Sequence, residues 1–124
     1  SKKKGTFVMT AQRRLEKELR RCLLVLISRY QPERILLFGS LAEGSVHPYS
    51  DIDLIIIKQT TQSFWERILD VHHLLQPELP LHLFVYTPEE WQELQGRLFF
   101  REEVLKKGKV LYDASGSGEM VSLR

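Results

Sequence analysis

The stretch GSLAEGSVHPYSDIDL, residues 39–54, decides how this chain is read. It follows the apolar run Ile35 to Phe38 and continues into Ile55, Ile56 and Ile57. A short apolar run closed by Gly39 has the pattern of a buried strand, and the branched aliphatic residues after Asp53 have it again. Residues two apart on a strand share a face, so Asp51 and Asp53 hold their carboxylates side by side at the start of the second strand. Bare charges next to the run Leu54 to Ile57 call for a compensating cation or an open cleft. Such hard oxygen ligands suit Mg²⁺ or Mn²⁺, which fill their remaining positions with water and substrate phosphates.

Gly39 and Ser40 supply the complementary half. A glycine leaving a strand permits a tight turn and close backbone approach, and a serine with backbone N–H groups at a helix start can hold phosphate oxygens. If Leu41 to Gly44 opens a short helix, Ser40 is its N-cap. A phosphate cradle beside a metal cradle is the minimal equipment for phosphoryl or nucleotidyl transfer, where catalysis is mainly positioning and charge neutralisation.

Around this core the chain alternates helical and extended patterns. From Thr10 to Tyr30 the residues Leu15, Leu19, Cys22, Leu23, Leu26, Ile27 and Tyr30 recur at spacings of three and four, predicting an amphipathic helix with Arg13, Lys17, Arg20 and Arg21 on its other side. It stops at Gln31-Pro32. Phe64, Ile68, Val71, His72 and Leu75 predict a second helix, and Leu81 to Tyr86 a third strand. Thr87-Pro88-Glu89-Glu90 is a helix start with an N-cap, a proline at the first position and a capping-box glutamate; that helix runs to about Gln95. A short helix from Phe99 to Lys107 and an extended piece, Val110 to Tyr112, follow. The expected fold class is mixed α/β (α+β), a small mixed sheet with helices packed on it. The expected organisation is a basic flexible arm over 1–9, one domain over 10–113 and a flexible tail over 114–124.

The chain has 124 residues, with 43% hydrophobic and 27% charged positions, which suits one globular core and excludes a low-complexity or collagen-like protein. No apolar run approaches the roughly 18 residues of a membrane-spanning helix. Lone Cys22 cannot form an internal disulfide, and the Ser-Lys-Lys-Lys-Gly start is unlike a secretory signal, so the reducing cytoplasm is the expected compartment. The net charge of +2 conceals a split: residues 1–21 hold eight Lys/Arg against two Glu. We read this as a solvated helix face; a nucleic-acid partner is not expected.

The Gly39-Ser40 pair, the ten residues Leu41 to Ser50 and the Asp51-Ile-Asp53 that follows resemble the motif of the DNA polymerase β-like nucleotidyltransferase superfamily. Ile35 to Phe38, Ala42-Glu43-Gly44, Ser50 and the Asp-Leu-Ile-Ile continuation extend the likeness, which covers roughly residues 20–112. The chain resembles a minimal nucleotidyltransferase of the kind encoded beside a HEPN-domain toxin and acting as its antitoxin. The resemblance implies transfer of AMP from ATP to a tyrosine of the toxin, Mg²⁺ (or Mn²⁺) on Asp51 and Asp53, and the nucleotide's phosphates on Gly39 and Ser40.

One position departs from that pattern. Where the family has a third carboxylate, in Leu81-His82-Leu83 before the Thr87 helix start, this chain has His82. A neutral imidazole can accept the proton of an attacking hydroxyl, but it is a poorer Mg²⁺ ligand than a carboxylate. The expected catalytic set is therefore Asp51, Asp53 and His82. The competing reading is an antitoxin-like protein that neutralises its partner by contact. Relatives of this kind also carry arginine where Glu43 stands, which weakens the expected grip on a triphosphate. His47 is read as a loop residue, His72 as a partly buried packing residue and His73 as a surface one. Trp65, Trp91, Phe99 and Phe100 are assigned to the core or to an interface with a toxin or a second copy.

Overall fold

The long amphipathic stripe near the amino terminus forms one helix, α1 (Lys2–Val25), which a single π-type turn extends over Leu26–Tyr30. A computed structural model describes residues 2–116; the expected tail lies outside the described residues from position 117 on. The helical backbone starts at Lys2, ahead of the Thr10 at which the apolar spacing begins. Gln31, at φ 56°, closes the turn by donating its N–H to the Leu26 carbonyl, and Pro32 follows, so the chain cannot continue as helix.

Strand β1 (Arg34–Phe38) leads directly into the short helix α2 (Gly39–Glu43). Strand β2 (Ile52–Ile57), helix α3 (Phe64–Leu75) and strand β3 (Leu81–Tyr86) then form a β-α-β unit in which β2 and β3 pair in parallel. Helix α4 (Pro88–Gln95), the short α5 (Leu98–Phe100) with a π-type turn over Arg101–Leu105, and strand β4 (Lys109–Asp113) complete the chain. The sheet order is β3-β2-β1-β4, and β1 is antiparallel to both of its neighbours. This is a mixed α+β architecture, as expected.

Both helix starts around β3 carry full capping boxes. The side chains of Ser63 and Thr87 accept from the backbone N–H of Glu66 and Glu90, and those glutamates accept from the cap N–H groups in return. Such caps satisfy donors that a helix start otherwise leaves unpaired, a contribution of about 1 kcal/mol each.

The two sheet faces are filled differently. One buries Ile35, Leu37, Ile52, Leu54, Ile56, Leu81, Leu83 and Val85 against Leu15, Leu19, Cys22, Leu23 and Leu26 of α1 and Val71 and Leu75 of α3. The other buries Leu36, Ile55, Ile57 and Trp91, with Phe38, Tyr86, Phe100, Val104 and Val110 packed around them. This second cover stops short of the start of β3, where His82 and Phe84 are exposed. Asp53 and His82 stand at this uncovered corner.

Two buried charges hold the layers together. Glu18, 5% exposed, takes two hydrogen bonds from Arg21 and caps the backbone N–H of Glu78, fastening α1 to the segment before β3. The Arg21 guanidinium beside it holds the Glu18 carboxyl below its ordinary range. Arg67, buried on α3, donates to Gln62 O, Val85 O and the Glu90 carboxylate, tying α3 to β3 and to the cap of α4.

Candidate functional site

The site is built from three strand ends. In the register of β2, Asp53 stands opposite Phe38 of β1 on one side and opposite His82 of β3 on the other. Alternation along β2 puts Asp53 on the face of Ile55 and Ile57, at the edge of the uncovered corner. Asp51, two residues earlier, joins it there. One ligand atom each from Asp51, Asp53 and His82 lie within 4.8 Å of one another. His82 Nδ1 is 3.0 Å from Asp53 Oδ1, and His82 Nε2 is 3.5 Å from Asp51 Oδ2.

Asp53 is the most enclosed member, its side chain 17% exposed against 62% for His82. Burial raises the Asp53 pKa above its ordinary value, while the hydrogen bond from His82 pulls it the other way. As a bare charge in this enclosed place the carboxylate gains the fold nothing.

Gly39 makes the tight turn out of β1. Its φ of +76° is left-handed, and a Cβ there would overlap the Asp53 carboxylate. Close backbone approach at the end of β1 is what lets Asp53 occupy its place. Ser40 behaves differently from the expected cap. Helix α2 starts at Gly39, two residues earlier than the cap placement needed, and Phe38 occupies the N-cap position with no side-chain cap. The Ser40 hydroxyl instead hydrogen-bonds Ser50 Oγ at 2.9 Å, and Ser50 Oγ also accepts from the His47 backbone N–H at 2.8 Å. These contacts join the two ends of the 41–50 loop directly behind Asp51.

The remaining histidines lie where they were expected: His47 exposed in the loop, with Nδ1 accepting from the Tyr49 N–H, His72 partly buried and His73 exposed on α3. Glu43 is exposed. Trp91 is core, whereas Trp65 is 71% exposed on the outer side of α3. Sequence reasoning passed over Glu18 and Arg67. Arg67 had left a trace, since it falls three residues after Phe64 and four before Val71, on the apolar side of its helix.

Paired strand-end carboxylates beside a glycine-serine turn on a mixed sheet define a nucleotidyl-transfer type of domain. Comparison with known proteins agrees: the family described as "Polymerase beta, Nucleotidyltransferase" matches residues 22–117, and the chain belongs to that family. Its fold is similar to that of a Sulfolobus solfataricus protein described as a "putative nucleotidyltransferase", with a TM-score of 0.65 and 18% identity over 94% of this chain and 95% of the other. A structure described as a toxin-antitoxin with AMP-PNP aligns at a TM-score of 0.48 with 20% identity, over 79% of this chain and 75% of that one. No curated protein matches the sequence.

Proposed function

We propose that this nucleotidyltransferase-family protein transfers a nucleoside monophosphate, AMP from ATP, to a hydroxyl of a protein acceptor, and that the acceptor is a tyrosine of a HEPN-type toxin. The observation that carries the transfer chemistry is the convergence of Asp51, Asp53 and His82 within 4.8 Å beside the Gly39 turn. The toxin acceptor rests on the sequence resemblance alone.

The donor set fits a divalent cation: two carboxylates, one of them enclosed, and an imidazole, all on rigid strand ends. Asp51 and Asp53 would hold it. When bound, such an ion neutralises the triphosphate and lowers the pKa of the attacking hydroxyl. The reaction joins the acceptor oxygen to the α-phosphorus, breaks the bond from that phosphorus to the bridging oxygen and releases pyrophosphate, while the hydroxyl proton passes to a base. Ser40 would steady phosphate oxygens. Ser50 can donate to Ser40 while still accepting from the His47 N–H, which frees the Ser40 proton for a phosphate. Gly39 keeps Asp53 in position through its missing side chain. His82 offers one neutral-imidazole lone pair, which serves either as the proton acceptor or as a metal ligand.

The test is calorimetric titration of ATP with Mg²⁺ and with Mn²⁺ into the wild type and Asp51→Asn, with mass spectrometry of the protein and of any co-purifying protein for an added AMP. Metal-dependent binding that the variant loses, with AMP on a partner tyrosine, is the expected result. A variant lacking both carboxylates that still neutralises its toxin would leave only the contact-based antitoxin reading.

A further inference from the structure

Strand β3 is an edge of the sheet, and His82, Phe84 and Tyr86 line the face that it shares with Asp53, Ile55 and Ile57 of β2. Phe84 is 37% exposed there, an uncommon position for a bare aromatic ring on a sheet. Two aromatic neighbours hold it. Tyr86 lies parallel to it, with ring planes 5° apart and centres 6.3 Å apart, and Phe38 leans in from β1 with its centre 6.1 Å away. With Tyr86 beyond it on the strand and Phe38 across β2, the Phe84 ring is left open towards His82 and the free edge of β3.

In-line displacement places the attacking oxygen opposite the departing pyrophosphate. The Gly39-Ser40 turn that would hold the leaving phosphates follows β1, on one flank of Asp53, whereas His82 and Phe84 stand on the other. An acceptor hydroxyl therefore enters over the start of β3, past Phe84. We propose that the Phe84 ring stacks on an aromatic acceptor, so that the site takes the phenolic hydroxyl of tyrosine in preference to the aliphatic hydroxyl of serine or threonine. The proposal rests on the transfer reading of the Asp51 and Asp53 site, and adds to it a residue of this chain that recognises the acceptor. Reach sets the preference. Phe84 and His82 are two residues apart on a strand, roughly 7 Å. A ring stacked on Phe84 carries its para oxygen across that interval, while a serine hydroxyl, one bond from Cβ, would have to bring its own backbone down onto the strand start. Paired rings also attract one another beyond the apolar area that they bury. The phenolic oxygen bonds to the α-phosphorus, the bond to the bridging oxygen breaks, pyrophosphate leaves and the phenolic proton passes to a base.

The experiment uses the full chain with Mn²⁺, ATP and two small acceptors, N-acetyl-tyrosinamide and N-acetyl-serinamide. Saturation-transfer NMR reads acceptor binding, and mass spectrometry reads AMP on each acceptor. The wild type should bind and modify the tyrosine compound in preference to the serine one. Phe84→Leu, which keeps bulk and loses the ring, should weaken binding of the tyrosine compound and raise its KM by roughly three- to tenfold, with kcat and ATP affinity little changed. Phe84→Tyr, which keeps a ring, should restore both. Absence of tyrosinamide binding to the wild type, or an unchanged KM and binding in Phe84→Leu, overturns the proposal. A loss confined to ATP affinity overturns it too, since Phe84 would then be a platform for the base. Transfer to serinamide as readily as to tyrosinamide removes the proposal and leaves the transfer function standing. Tyrosinamide binding that Phe84→Leu weakens, with no AMP transfer by the wild type, does the reverse.

Discussion

The Gly39 backbone lies so close to the Asp53 carboxylate that any side chain at position 39 would have to displace it. The same turn holds Gly39 at φ +76°. Gly44 is an internal control, since it has nearly the same φ, +74°, but nothing within 4 Å of where a Cβ would sit. Gly44→Ala should therefore cost only the left-handed backbone penalty, about 1 kcal/mol. Gly39→Ala should cost ~1–3 kcal/mol more and also abolish divalent-metal binding. Urea unfolding of the two variants with a Mn²⁺ titration checks this; equal losses in both would show that the contact with Asp53 has no energetic consequence.

Asp53 works against the fold. Burial raises its pKa, so in the folded state ionisation is disfavoured, and the resulting stability deficit is present at neutral pH and fades as pH falls through the raised value towards the ordinary 3.8. Asp53→Asn should raise the melting temperature of the metal-free protein at pH 7 by ~3 °C and shrink that advantage at pH 4. Added Mn²⁺ should stabilise the wild type and leave the variant unchanged. A variant that melts below the wild type at pH 7 without metal would show that the His82 hydrogen bond outweighs the desolvation of Asp53.

The Arg67 to Glu90 pair acts in the opposite sense. Its bond to Arg67 holds the Glu90 carboxyl below its ordinary 4.5, so the pair contributes fully above that pH and is lost as pH falls through the lowered value. Glu90 is 43% exposed, which screens the charge part of the interaction, but Arg67 is buried and also serves Val85 O and Gln62 O. Arg67→Met should cost ~2 kcal/mol at pH 7, chiefly through the unpaired Val85 carbonyl and the lost bond to Glu90. Chemical denaturation of both proteins from pH 6 down to pH 3 should show the difference narrowing; a constant difference would exclude the ion pair as its source.

The two tryptophans should separate cleanly. Trp91, 5% exposed, packs edge-on against Phe100 with ring centres 5.2 Å apart, and Trp91→Ala should cost ~3–5 kcal/mol. Trp65→Ala, at 71% exposure, should stay within ~0.5 kcal/mol. Melting curves decide it, and a Trp65 effect as large as that of Trp91 would contradict the packing.

The parts of the fold that were legible in the sequence are those whose signal is local. The Ile35 to Phe38 run bounded by Gly39, the Thr87-Pro88-Glu90 start and the 3.6-residue stripe of α1 each announce themselves within a few residues, because strand burial, capping and amphipathicity are short-range patterns. Asp51 and Asp53 were legible for the same reason, and His82 because its surroundings align with the family motif. Pairing was not legible. That Asp53 stands between Phe38 and His82 depends on a strand register that no spacing encodes. The expected Ser40 cap failed by two residues, since the helical turn begins at the left-handed Gly39 and Ser40, inside it, bonds Ser50. Glu18 and Arg67 escaped notice because their partners, Glu78 N–H and Glu90, lie 60 and 23 residues away.

β2 is flanked by a strand on each side, whereas β3 closes the sheet with one side chain in two turned to solvent. Residues on these two strands therefore face unequal constraints when a lineage explores new chemistry. A change at Asp53 disturbs a neighbour on either hand, with Gly39 pressed against it, while a change at position 82 meets open solvent and carries little folding penalty. The scaffold thus keeps its two carboxylates fixed and leaves its third position open to replacement, and a histidine there is the kind of substitution such a surface tolerates without repacking.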